Sequence, residues 1–320
     1  MFDSCMRRYY FHYYFSWGGW KTSAPGIVRE AFKLKRLASL PLWRGQLVHY
    51  VTSKVLQSMK TKGRIPERDK VIGYTLERFQ KQLAFSSARM YITEPKKRNN
   101  KLNIDWLALF EHEYGRRLDP VRLEKTKQEC IQAMKSLFDS PMLRIIADTD
   151  PSGWIIEDLD HAEFSQNFEI EGVKVYVKTD FMFRKKDGTF NIVDWKTYGG
   201  TASVDEERQE PQDARVQLGV YGYYVSRIMG EPLHSIRLYE VNLLDGGNVT
   251  EYTVDEESIV TFSEHISTGI SKLSSVLADG DTARNEPLPP EHFAKIENGN
   301  CRFCNFYRIC KDEGYRDRLP

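Results

Sequence analysis

The 320-residue chain has no apolar run long enough to span a bilayer, which argues against a helical membrane protein. Its first residues are apolar and aromatic, but Arg7, Arg8 and His12 interrupt them and no small-residue cleavage site follows. No secretory leader is therefore read there, no membrane partner is expected, and the expected location is cytoplasmic. A charge excess is also missing: 46 Lys and Arg face 45 Asp and Glu, for a formal net charge of +1. Any contact with a polyanion must then be local rather than carried by bulk charge. Cysteine is scarce and odd in number, five in all, and Cys301, Cys304 and Cys310 crowd together near the C-terminal end. That pattern fits a metal site in a reducing compartment better than a disulfide framework. Finally, Gly18-Gly19-Trp20-Lys21-Thr22 lacks the glycine that a phosphate-cradling loop carries before its lysine, so no nucleotide-driven motor is expected.

What is present is ordinary globular material. Aromatic residues make up 12% of the chain, too many for a disordered one. The length slightly exceeds the ~250–300 residues at which a single core usually stops growing, so a main domain with an insertion or a small lobe is expected. Residues 1–15 read as a short helix or strand. Helical spacing follows at 27–38, at 42–59 behind Pro41, and at 66–92, 103–112 and 120–138. The stretch 60–145 shows no strong strand signal and reads as a helical insertion. From Trp154 the pattern becomes strand-like. Val173–Phe183 alternates with period two, Asp187-Gly188 signals a hairpin turn, and Asn191–Lys196 returns. A helix at 212–228, strands at 235–243 and 249–253, and a helix at 256–278 complete the main body. Pro287, Pro289 and Pro290 lead into a cysteine-rich tail. The runs Lys60–Arg68 and Lys96–Lys101 read equally as basic stripes or as solvated loops.

The chemistry-bearing residues collect on the hairpin. Asp194 and Lys196 are two apart on a strand, so both project from one face. Asp180 lies on the polar side of the preceding strand. Two carboxylates that converge can hold a hard cation such as Mg²⁺ or Mn²⁺, and a lysine beside them can orient water or offset transition-state charge. Taken alone, the hairpin reads as well as a solvated surface feature. However, Asn191-Ile192-Val193 leads into Asp194 as a buried strand would, and buried carboxylates need a partner or a metal. Glu94-Pro95-Lys96 has the same acid-x-lysine string but holds a proline and follows no carboxylate-bearing strand. Gln217 and Tyr221, four apart on a helix, share a face, as do Gly45 and His49. Cys130 sits within a helical pattern and reads as core.

The hairpin resembles the catalytic core of the PD-(D/E)xK superfamily, in the branch of RecB-type domains, AddB and CRISPR adaptation nucleases. Gln217-x-x-x-Tyr221, Gly45-x-x-x-His49 and a distant Cys5 ahead of the terminal cysteine triplet are similar to that branch, in the same order along the chain. Asp194 stands where many members carry Glu, which the class permits. The resemblance implies an α/β fold with a restriction-endonuclease-like core, a central mixed sheet flanked by helices, over 1–59 and 146–285. The helical insertion would span 60–145, and residues 286–320 with Cys5 would form an iron–sulfur lobe. It implies a Mg²⁺- or Mn²⁺-dependent DNA nuclease, an exonuclease on single strands or ends. His49, Asp180, Asp194 and the carbonyl of Trp195 would be metal ligands, Lys196 would activate water, and Gln217 and Tyr221 would steer the strand. Cys5, Cys301, Cys304 and Cys310 would hold a [4Fe–4S] cluster, although four thiolates alone suit Zn²⁺ as well. Implied partners are a helicase or a CRISPR or recombination protein. Two rivals are a catalytically idle nucleic-acid-binding subunit of a larger helicase–nuclease complex and a zinc-stabilised RNA-processing enzyme.

Overall fold

A computed structural model describes residues 1–98, 101–156, 166–199 and 211–311. The helices are α1 (Met6–Tyr10), which continues as a π-turn through Phe15, α2 (Gly26–Leu34), α3 (Leu40–Lys62), α4 (Arg68–Ser87) and α5 (Phe110–Glu113). They continue with α6 (Pro120–Asp139), α7 (Pro141–Ala147), α8 (Pro211–Tyr223), α9 (Glu256–Ser274) and α10 (Tyr307–Lys311). The strands are β1 (Lys97–Arg98), β2 (Lys101–Leu102), β3 (Ile155–Ile156), β4 (Asn167–Ile170), β5 (Val173–Tyr176), β6 (Phe181–Arg184), β7 (Phe190–Lys196), β8 (Ile236–Asn242) and β9 (Asn248–Thr253).

The central sheet has the order β3-β6-β7-β8-β9, with β7 and β8 parallel and the other pairs antiparallel. This is the mixed sheet expected, with helices on both faces. Alternation along β7 sends Val193 and Trp195 into one core with Phe181, Phe183, Val241 and residues of α3, α4, α6 and α7. Phe190 and Ile192 point the other way, into a core with Tyr221, Val225 and Phe262 from the α8 and α9 side. Because β7 is covered on both faces, it reads as a nearly continuous apolar run, as parallel strands do. Within 60–145, α6 and most of the buried face of α4 are built into the first core, whereas Phe85 and Phe110 join another.

The ends of α3 follow local chemistry. Ser39 caps its start by accepting from the Leu42 amide, Pro41 occupies the first turn, and Gly63 closes it at φ 63°. The helix is buried on most sides because it lies between the sheet and α4 and α6. A third core joins the two chain ends: Phe11, Phe293 and Phe306 meet there with residues of α2.

Local expectations divide into those that hold and those that change. Of the two readings of residues 1–15, helix or strand, the helix holds, over Met6–Phe15, and three other expectations change. Only Phe110–Glu113 of 103–112 is helix, because Ala108 and Phe110 pair in extended form with Ala38. A short β1–β2 hairpin interrupts the supposedly all-helical 60–145. Val173–Phe183 is not one strand: β5 pairs with β4 in a separate two-stranded sheet, and the central sheet takes up again only at Phe181. The Trp195 amide explains the break, since it donates to the Asp180 carboxylate at 2.8 Å instead of continuing the backbone ladder past Phe181.

Candidate active site

The site lies where β7 ends, at the rim shared by the two faces of the sheet. Asp180 sits one residue ahead of β6. Its Oδ2 accepts the Trp195 amide at 2.8 Å and its Oδ1 lies 3.1 Å from His49 Nδ1. Asp194 Oδ2 is 2.6 Å from Lys196 Nζ. Lys196 also donates to Gln217 Oε1 at 2.9 Å, Gln217 Nε2 donates to the Tyr221 hydroxyl at 2.7 Å, and that hydroxyl donates to the Lys178 carbonyl at 3.0 Å. All seven residues expected at this site therefore meet at one place, drawn from α3, β7, α8 and the turn before β6. For Trp195 the visible contribution is its amide. Its side chain is 1% exposed and belongs to the core.

Each element delivers its residue for a local reason. His49 is on the α3 turn that passes the end of β7, where Arg44 Nη2 donates to the Thr197 carbonyl at 2.6 Å. A Cβ on Gly45 would meet Thr197 Oγ1 at 3.5 Å, an ordinary contact, so this glycine is compatible with the approach without being required by it. Gln217 and Tyr221 reach the lysine because α8 crosses α9 closely, with Gly219 against Phe262.

The electrostatics of the two acids diverge. Burial opposes ionisation of Asp180, but His49, the Trp195 amide and Lys196 outweigh it and hold its carboxyl below the usual range. Burial and the neighbouring Asp180 raise the Asp194 carboxyl to about 7, with Lys196 and His49 pulling the other way. Two buried carboxylates pushed apart in this manner are a donor set whose repulsion a hard divalent cation would relieve. Among the described residues, no three His, Cys, Asp or Glu side chains stand close enough to hold an ion as they are. The acids are turned towards His49 and Lys196 instead. The donor chemistry nevertheless fits Mg²⁺ or Mn²⁺, with His49, Asp180 and Asp194 as the side chains that would hold it.

One carboxylate was not anticipated. Glu240 on β8 is the parallel register partner of Asp194, so both lie on the same face of adjacent strands. Burial raises its carboxyl and Lys196 draws it back. The alternation of Ile236–Asn242 marks Glu240 as facing with Ile236 and Leu238, but nothing local reveals which strand lies beside it. In the basic run at 60–68, Lys60 donates to the Trp154 carbonyl at 2.7 Å and Arg68 pairs with Asp139 at 3.0 Å, while Lys62 and Arg64 are exposed.

The cysteines are arranged separately. Cys5 precedes α1, Cys301 lies in a 3₁₀ turn that Cys304 ends, and Cys310 is in α10. All five thiols are unpaired, and these four line one cavity of about 320 Å³ with Arg8 and Phe306. Burial raises Cys304 and Cys310 above the ordinary thiol range, and the other thiols add to it. The four do not form a tight cluster as they stand, but a set of four thiols around one cavity has the composition a tetrathiolate group needs. Cys130 is core, with burial pushing its thiol up to about 12.

Paired carboxylates and a lysine from adjoining strands of a mixed sheet suit hydrolysis of a phosphodiester with a divalent metal. The chain belongs to the PD-(D/E)XK nuclease superfamily, whose family model matches residues 1–311. No curated protein matches it. Among the described residues, no helix is long and apolar enough to cross a membrane.

Proposed function

We propose that this nuclease is a Mg²⁺- or Mn²⁺-dependent deoxyribonuclease, an exonuclease on single strands or DNA ends, of the iron–sulfur RecB/AddB-like and CRISPR adaptation branch. The observation that carries it is the unbroken chain of contacts from Asp194 through Lys196 and Gln217 to Tyr221, beside the His49–Asp180 pair. A bound divalent ion would supply Lewis acidity to the phosphoryl oxygen and lower the pKa of a water. His49, Asp180, Asp194 and the Trp195 carbonyl are the groups proposed to hold it.

The residues of the chain do the rest. Lys196, oriented by Gln217, offers an ammonium group that can position water and offset charge developing on the phosphorus. Tyr221 locks Gln217 against the Lys178 carbonyl, so the lysine does not have to be organised anew in each turnover. Burial of Asp194 keeps the site poor in water, which strengthens each of these interactions. Cys5, Cys301, Cys304 and Cys310 are proposed to hold a [4Fe–4S] cluster in a structural role, and a helicase or a CRISPR or recombination protein is the proposed partner class.

The test is Mn²⁺-dependent cleavage of end-labelled single-stranded DNA by wild type, Lys196→Ala and Asp180→Ala. Both variants should lose at least about a hundredfold in rate, the scale of removing one preorganised charge stabiliser. Equal activity in all three would refute the assignment. A circular single-stranded substrate left intact alongside a degraded linear one would support the exonuclease reading, and a nicked circle would refute it.

A further inference from the structure

The loop Trp17-Gly18-Gly19-Trp20 lies pressed against α2. A Cβ on Gly19 would meet Phe32 Cβ at 2.4 Å and the Val28 carbonyl oxygen at 2.6 Å, and Gly18 takes φ +76°. Only glycines let the loop sit this low. The two tryptophans it carries stand edge to face with centroids 5.0 Å apart, yet 71% of Trp17 and 51% of Trp20 is exposed. Two large apolar rings held in fixed geometry at the surface mark a contact surface more than a stray exposure does.

From there, aromatic rings and cations alternate. Trp20 lies 5.7 Å from the Phe32 ring, and the Arg36 guanidinium covers Phe32 at 3.9 Å. Arg36 also approaches the Trp106 ring at 5.9 Å, and Lys96 approaches the same ring at 5.6 Å. Burial holds Lys96 below the usual lysine range, and the like charges of Arg36, Lys178 and Lys97 push it further. Lys178 is the residue whose carbonyl receives the Tyr221 hydroxyl in the active site. The ribbon thus runs from the exposed tryptophans to the edge of the catalytic network, and the cations crowded along it lower their mutual repulsion when a phosphate enters.

We propose that this ribbon, Trp17–Trp20–Arg36–Trp106–Lys96–Lys178, is a track that binds single-stranded DNA and leads it to the active site. The proposal rests on the reading of the site as a deoxyribonuclease. Open base faces stack on aromatic rings without regard to sequence, while cations follow the backbone. A duplex hides those faces, so the chemistry selects an unpaired strand.

The experiment uses the full chain and a fluorescent oligothymidylate without divalent metal, with hydrolysis of bis(p-nitrophenyl) phosphate in Mn²⁺ measured in parallel. The small diester reaches the site without needing the track. The double variant Trp17→Ala/Trp20→Ala should weaken oligonucleotide binding at least about tenfold and leave its salt dependence unchanged. Lys96→Ala should lower the slope of log K against log salt by about 0.7, the value for one single-strand phosphate contact. Trp20→Tyr should recover part of the affinity lost in Trp20→Ala, and both variants should hydrolyse the small diester at the wild-type rate. Unchanged oligonucleotide affinity in both the tryptophan and the lysine variants would overturn the track. Equal affinity for duplex DNA, or for single-stranded RNA of matched length, would overturn the assignment to single-stranded DNA. Wild-type protein inert towards the small diester would count against the reading of the site and leave the binding result to decide the track.

Discussion

Tyr221 shows how closely one hydroxyl is committed in this site: it accepts from Gln217 at 2.7 Å and donates to the Lys178 carbonyl at 3.0 Å. Tyr221→Phe keeps the ring in its core but removes both contacts, so Gln217 loses the group that orients it against Lys196. A fall of about tenfold in kcat with little change in KM is expected, since the lost contact positions the lysine proposed to be catalytic rather than substrate. A steady-state comparison checks it, and a change confined to KM would contradict it. Glu113 is the second residue whose setting decides an outcome. Its side chain is wholly buried and pairs with Lys33 at 2.9 Å, Arg308 at 3.0 Å and Arg89 at 3.2 Å. Burial opposes its charge, but Lys33 and Arg308 win and hold the carboxyl below the usual range. A carboxyl depressed in the folded state adds stability above its unfolded pKa, and this is lost as pH falls through the folded value. Glu113→Ala should therefore cost about 3–5 kcal/mol at pH 7. The gap in Tm from wild type should narrow below about pH 4, as scanning calorimetry at both pH values would show.

Among the elements, the crossing of α8 over α9 carries the site's geometry. A Cβ on Gly219 would meet Phe262 Cβ at 2.5 Å and the Ser258 carbonyl oxygen at 3.0 Å, and one on Gly222 would meet Val254 Cγ1 at 2.4 Å. These two glycines let α8 settle deep enough for Gln217 and Tyr221 to reach Lys196 and Lys178. Gly219→Ala should destabilise by about 1–3 kcal/mol through overpacking and should also lower kcat, because the helix that moves is the one that orients the lysine. Gly73→Ala on α4, where a Cβ meets nothing within 4 Å, is the matched control and should stabilise by about 0.4–1 kcal/mol. Urea titrations and rates of both variants test the pair. If Gly219→Ala lost stability with kcat intact, α8 would not be the positioning element. Element-level reading of the sequence was good where periodicity ruled, as in α3, β7, β8 and α9. It erred at Val173–Phe183, where alternation continues through Asp180 but the carboxylate takes the Trp195 amide and ends the ladder. It erred again at 103–112, where pairing with Ala38 overrides a helical pattern.

At the largest scale, segments far apart in the chain, 7–11 and 293–306, pack against one another. The Arg7 amide donates to the Ala294 carbonyl at 3.0 Å, Tyr10 lies 4.8 Å from Phe293, and Phe11 lies 5.6 Å from Phe306. This apolar joint stands beside the cavity lined by four cysteines, so the proposed cluster would reinforce a closure that packing already makes. The protein purified without oxygen should be brown, absorbing near roughly 400 nm, and Cys5→Ser should lose the colour and lower Tm. A colourless protein containing zinc would refute the cluster. Because Phe11, Phe293 and Phe306 remain packed, Cys5→Ser should still unfold cooperatively rather than as a molten chain, and loss of the near-ultraviolet circular dichroism would contradict that.

The amino-acid sequence alone determined which groups share a face: Asp194 with Lys196 by the two-residue period of a strand, and Gln217 with Tyr221 by the four-residue spacing of a helix. Those relations follow from backbone geometry and survive in any fold that forms the element. Only tertiary structure decided that Glu240 stands beside Asp194, that Asp180 turns out of the ladder to meet His49, and that the exposed tryptophans begin a ribbon leading to Tyr221. Strand register and helix approach depend on side chains far apart in the chain fitting one another at close range, and no local periodicity encodes that fit.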